Sequence, residues 1–154
     1  MIRNDNTTSD NSKLKDNNIL VLDDELDIIT LLKTSLTSNG FNVAGFTNPF
    51  LALQHFQMNS KDYMLVISDI RMAAMNGFEF IRNIREIKLD VKVLLMTAVD
   101  INTTTFSEEL LATKVNGFIQ KPILLKELNT IVLKHIYISI KINKRKSTLK
   151  LFSK

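Results

Sequence analysis

The chain has 154 residues, enough for one domain with a packed core, and its 45% hydrophobic and 23% charged residues are an ordinary globular profile. No apolar run approaches the roughly 18 residues of a membrane span, and the polar start, MIRNDNTTSDNSKLKDNN, lacks the apolar segment of a secretory signal. Cysteine is absent, which excludes disulfides and thiol catalysis and fits the cytoplasm. The net charge of +4 conceals an asymmetry: seven cations and no acid follow Glu127, leaving −3 for the rest of the chain. Whole-chain charge therefore says little about what the folded body binds.

Residues 1–16 are rich in Asn, Asp, Ser and Thr, with little to bury, and are expected to be disordered. From residue 17 two patterns alternate. Short apolar runs at 18–22 (NILVL), 42–46 (NVAGF), 63–68 (YMLVIS), 91–97 (VKVLLMT) and 117–120 (GFIQ) have the length of strands buried on both faces. Helical patterns separate them. The first places Leu26, Ile29, Leu32 and Leu36 on one face and stops at Gly40. The second starts at Asn48-Pro49, an N-cap followed by proline in the first turn. A third carries Phe80, Ile84 and Ile87 on one stripe. The fourth, around TTTFSEELLA, is weak, although Thr105 and Glu108 have capping-box spacing. The last aligns Leu124, Leu128, Ile131 and His135.

Five strand–helix units in series predict an α/β fold, a five-stranded parallel sheet of order 2-1-3-4-5 with helices on both faces. Ligands of such sheets sit at the C-terminal strand ends. Polar groups gather there: Asp23-Asp24 after strand 1, Ser68-Asp69 at the end of strand 3, Thr97 at the end of strand 4, Lys121-Pro122 after strand 5. Taken alone, the acid pair would suit a helix N-terminus, and Lys121-Pro122 an ordinary turn with proline cis or trans. Together, three carboxylates and a lysine suit a hard divalent cation such as Mg²⁺, with charges that sum to zero once the ion is included. One carboxylate would remain free to attack a phosphoryl group.

In this order and spacing VLDDE, ISDIRMAAMNGFEF, LLMTA and GFIQKP resemble the receiver domain of two-component response regulators, over residues 17–135. The resemblance implies a flavodoxin-like fold with Asp69 as phosphoacceptor and Thr97 and Lys121 as contacts to the phosphoryl group. It also implies Mg²⁺ held by Asp23, Asp24, Asp69 and the backbone carbonyl of Arg71, and a switch through Thr97 and Phe118 to a helix 4–strand 5–helix 5 surface. The implied donor is a sensor histidine kinase or phosphotransfer protein. The chain would be a regulator and not an enzyme in its own right, assisting its own phosphorylation and slow dephosphorylation in the cytoplasm.

Two departures from the family pattern stand out. Ala73 and Ala74 occupy the loop where proline is usual, and Phe118 lacks the hydroxyl of the commoner tyrosine. The alternative is a phosphorylation-independent pseudo-receiver, against which the complete acid–Thr–Lys set argues. An aspartyl-nucleophile hydrolase would want an acid where Arg71 stands, and a lid domain. His55 and His135 lie on helical faces and read as structural, and the six methionines read as core filler.

Residues 136–154 are expected to form a separate basic tail, too short for a usual DNA-binding domain, so that the receiver stands alone. Ile136, Ile138, Ile140 and Ile142 recur with a strand period beside Lys144, Arg145 and Lys146. The tail would be either a frayed, solvated helix end or a tether to something anionic: an acidic kinase surface, nucleic acid or an anionic membrane.

Overall fold

The computed structural model describes residues 17–100 and 107–153. The expected disorder of residues 1–16 and the Thr105 capping position fall outside the described residues. Strands β1 (Asn18–Leu22), β2 (Asn42–Phe46), β3 (Tyr63–Asp69), β4 (Lys92–Thr97) and β5 (Gly117–Gln120) alternate with helices α1 (Leu26–Ser38), α2 (Pro49–Asn59), α3 (Gly77–Ile87), α4 (Ser107–Thr113) and α5 (Leu125–Leu151). The strands form one parallel sheet in the expected order β2-β1-β3-β4-β5.

Side chains of a strand point alternately to its two faces, so continuous apolar runs feed two cores. Ile19, Val21, Leu65, Ile67, Leu94 and Met96 pack with Ile29, Leu32 and Leu36 of α1 and Leu128, Val132 and Ile136 of α5. Leu20, Leu22, Val66, Val93 and Leu95 face the other way, onto Ala52 and Phe56 of α2 and Phe80, Ile81 and Ile84 of α3.

The helix ends follow their local chemistry. Asn48 caps α2 by accepting hydrogen bonds from the amides of Phe50 and Leu51, with Pro49 behind it. Asn76 and Glu79 form a reciprocal capping box at the start of α3. Gly40 takes a φ of +89° after α1, a left-handed turn that a side chain would strain.

Four expectations need correction. Leu26 is exposed, because it opens α1 above the sheet edge, before the helix reaches the core. Leu124 is exposed too: it is the N-cap of α5, outside the helical stripe. Met58 is 80% exposed and fills no core, unlike Met96. Most consequentially, among the described residues no strand follows His135 and the helix does not break there. Helix α5 continues to Leu151, through the proposed boundary between domain and tail. Ile136 is buried beside Leu128 and Val132 at a four-residue spacing, which anchors the helix in the core. Propagating an existing helix adds a hydrogen bond per residue, which outweighs a β-branched residue's penalty of a few tenths of a kcal/mol. A lone strand has no such gain.

Candidate functional site: an acidic cluster bridged by a lysine

Each strand end delivers its residue to one place because the sheet is parallel and the ends lie in register. Leu22 of β1 pairs with Ser68 of β3, and Asp69 of β3 with Met96 of β4. Asp23 and Asp69 therefore follow directly from the hydrophobic pairing of β1 and β3. Asp23 is fully buried, Asp69 is 6% exposed and Asp24 is exposed. One carboxylate oxygen from each lies within 4.8 Å of the others.

Lys121 closes the group. Its Nζ donates to Asp23 Oδ2 at 2.9 Å and pairs with Asp69 Oδ1 at 3.2 Å. The other oxygen of Asp23, Oδ1, accepts from the Glu25 amide at 2.9 Å, so the first turn before α1 is tied to the buried acid. Burial, and then the charge of Asp23, push the Asp69 carboxyl above its ordinary pKa, against the pull of Lys121. Burial also works against the charge on Lys121, but hydrogen bonding to Asp23 and the charges of both acids win and hold the ammonium above its ordinary value.

Thr97, at the end of β4, is buried, and its hydroxyl is engaged with the backbone of Val99: Oγ1 accepts from the Val99 amide at 3.1 Å and donates to the Val99 carbonyl at 3.4 Å. The Thr97 carbonyl accepts from the Lys121 amide at 2.8 Å, which couples the two strand ends. Phe118 is half-buried on β5, beside Leu95 in register and against the α2–α3 core. Arg71 is exposed in the loop after β3, with no hydrogen bond or ion pair among the described residues. The acidic cluster thus brings together Asp23, Asp24, Asp69 and Lys121, with Thr97 joined to it through the backbone. The Lys121-Pro122 peptide is cis.

Gly77 was not singled out by the sequence reading. A Cβ there would collide with the carbonyl of Asp69, and the Gly77 amide donates to the Ile70 carbonyl at 2.8 Å. The loop after Asp69 can return this closely only over a bare backbone. The available signal was the Asn-Gly pair followed by Glu79, a helix start that must fold back on the strand it has just left. His55 and His135 lie away from the acidic cluster in the sheet packing: His55 Nε2 meets the Tyr63 hydroxyl at 2.6 Å beside Phe46, and a Cβ at Gly117 would press on the His135 ring.

The family model of the response regulator receiver domain matches residues 19–133. The chain belongs to this family. The transcriptional regulatory protein ZraR of Klebsiella oxytoca is 39% identical over 80 residues, 52% of this chain and 18% of that protein. The receiver chain thus spans about a fifth of that relative's length. Among solved structures, a CheY-like receiver domain protein from Methanospirillum hungatei superposes with a TM-score of 0.73 at 20% identity, covering 80% of this chain and 96% of that one. The receiver domain of a sensor histidine kinase from Pseudomonas aeruginosa, with a magnesium ion coordinated in its active site cleft, gives 0.67 at 23% identity, over 78% and 97%. At these identities both structures speak for the fold. The receiver has no helix, among the described residues, long and apolar enough to cross a membrane.

Proposed function

We propose that this receiver domain accepts a phosphoryl group on Asp69 from a phosphohistidine of a sensor kinase or phosphotransfer protein, with Mg²⁺ held at the acidic cluster. The observation that carries the reading is the Lys121 ammonium set between the buried Asp23 and Asp69 carboxylates. Three carboxylates and one ammonium sum to −2, the charge that one divalent cation balances. Two ligands of an octahedral Mg²⁺ at about 2.1 Å stand roughly 3 Å apart when adjacent and roughly 4.2 Å when opposite. A spread of up to 4.8 Å fits a shell in which part of the contact is made through water. Asp23, Asp24 and Asp69 would hold the ion with the Arg71 carbonyl, and the P. aeruginosa receiver's magnesium is consistent with such a site. When bound, the ion supplies positive charge to the transferring oxygens.

Asp69 is suited to attack. Its carboxylate is poorly hydrated and raised in basicity, and the Lys121 ammonium offsets its repulsion from Asp23. An Asp69 oxygen bonds to phosphorus as the phosphorus–nitrogen bond to the donor histidine breaks, and the bonding pair leaves with the imidazole. The Lys121 ammonium then faces the new phosphoryl oxygens. Thr97 would exchange its bonds to Val99 for one to the phosphoryl group, and its carbonyl link to the Lys121 amide would carry the shift to β5, Phe118 and the α4–β5–α5 face. The chain is thereby a regulator that assists its own transfer chemistry.

The test is labelling with a small phosphodonor such as phosphoramidate, with and without Mg²⁺, read by mass spectrometry. Wild type should be labelled on the Asp69 peptide only with Mg²⁺, and Asp69→Asn should not be labelled. Equal labelling of the variant on the same peptide would refute the assignment.

A further inference from the structure

Helix α5 runs well past the core. Among the described side chains, the last one buried in the sheet-packed core is Ile136, yet the helix continues to Leu151. The described side chains of this projecting part are exposed. Two features coincide there. First, Lys141, Lys144, Arg145, Lys146 and Lys150 stand on it, and no acid follows Glu127 anywhere in the sequence. Second, apolar side chains are left in solvent: Ile142, Leu149 and Phe152 gather on one side, and Leu151, 79% exposed, lies on the opposite one. Ile142 and Leu149 are seven residues apart, and Phe152 follows three later; Leu149 is 69% and Phe152 83% exposed. At 3.6 residues per turn these three share a face, with Arg145 among them and Lys141 and Lys146 at its borders. Lys141 also lies 4.9 Å over the exposed ring of Tyr137.

Three occupants could cover such a face, and the charges separate them. A second copy would set cations against cations with no acid on either projecting segment to offset them. Nucleic acid would satisfy the cations but leave the leucine and phenylalanine with nothing apolar to meet. An anionic lipid surface takes both, drawing the lysines and Arg145 to its headgroups and admitting the apolar face to the acyl boundary. The geometry points to the projecting turns of α5 as a peripheral binding element for anionic membrane surfaces, one that holds the receiver at the lipid interface without crossing it. This goes beyond the phosphoryl chemistry and does not depend on it.

The experiment is co-sedimentation of the full chain with vesicles of phosphatidylcholine alone or mixed with phosphatidylglycerol, at low and moderate salt. Association with the anionic vesicles alone, weakening as salt rises, is expected. Each Lys or Arg near such a surface contributes about fivefold to binding. The triple variant Lys144→Gln, Arg145→Gln, Lys146→Gln should therefore bind about a hundredfold more weakly at low salt. The pair Leu149→Ser, Phe152→Ser should also bind more weakly, by several-fold, while both variants keep wild-type phosphodonor labelling of Asp69. A duplex DNA oligonucleotide, followed by anisotropy, is the competing arm. No anionic-vesicle binding, or vesicle binding indifferent to the serine pair, overturns the proposal. DNA binding as tight as vesicle binding, and unaffected by the serine pair, overturns it in favour of a nucleic-acid contact.

Discussion

Two residues beside the acidic cluster bear on how long a phosphoryl group would stay on Asp69. Hydrolysis needs a water placed in line with the scissile bond. Val99 is half-buried with its amide tied to Thr97 Oγ1, and its side chain offers no hydrogen bond to water. Arg71 is an exposed cation with no partner among the described residues, free to cover phosphoryl oxygens. Slow self-dephosphorylation is expected. Val99→Glu should shorten the lifetime roughly tenfold or more, since a carboxylate can orient water and accept its proton. A wild-type lifetime of seconds that neither Val99→Glu nor Arg71→Asn alters would count against this account. A second residue-scale prediction concerns His135. Burial, and then the positive charges of Lys134 and Lys92, lower its pKa in the folded state. The unfolded chain therefore binds the extra proton more readily. Stability attributable to His135 is full above the unfolded value, about 6.5, and is lost as pH falls from there to the folded pKa. The urea midpoint should drop over that interval, and His135→Gln should flatten the drop. An identical pH profile in the variant would remove His135 from the explanation.

At the scale of elements, helix α3 clasps α4 through two arginines. Arg82 meets Glu109 at 3.3 Å on the surface, a pair of small worth. Arg85 does more: its guanidinium donates to the carbonyls of Leu89, Val91, Thr113 and Lys114. Those carbonyls end α4 and flank β4, so one side chain fixes α4 against the sheet. Arg85→Met keeps length and loses every donor, and should destabilise the fold by about 2 kcal/mol or more. Arg85→Lys should recover only part, because an ammonium cannot span four carbonyls as a planar fork can. Urea denaturation decides it; a midpoint unchanged in Arg85→Met would mean that water replaces the clasp at no loss. Such a clasp shows where reading the sequence stops short. The strands were readable because burial on both faces demands unbroken apolar runs, and the acids and lysine because parallel strands deliver their ends to one edge. Arg85 looks like any solvated helix residue, since the backbone carbonyls it serves carry no sequence signature. Gly77 was hidden for a related reason: its role is the room it leaves for the Asp69 carbonyl. In α5 a strand-like alternation of isoleucines lost to the helix already anchored through Leu128, Val132 and Ile136. A local period does not reveal which neighbour a residue will find.

Charge is divided unevenly over the whole molecule. Residues 1–127 carry −3, while the seven cations after them lie along or beyond α5. Within the acidic part, Asp23, Asp24 and Asp69 are concentrated at one sheet edge with Lys121 as their nearby cation. Folding assembles this cluster: Asp23 follows β1 and Asp69 ends β3, and in the unfolded chain their charges are far apart and hydrated. The metal-free fold therefore tolerates repulsion that the rest of its packing must outweigh. A divalent cation that binds the assembled cluster and not the unfolded chain must stabilise the whole domain, by about 1.4 kcal/mol at tenfold and about 2.7 kcal/mol at a hundredfold excess over its dissociation constant. The urea midpoint should accordingly rise on going from chelator to excess Mg²⁺, without phosphodonor present, and the slope of the transition should not change. Asp23→Asn and Asp69→Asn should each reduce the rise, since each removes a carboxylate from the group. The exposed Asp24 should matter to it as well, although its own removal would disturb the metal-free fold least. Coincident urea curves in chelator and in excess Mg²⁺ would mean that the cluster does not hold the ion in the folded chain, and Lys121 alone would then have to neutralise it.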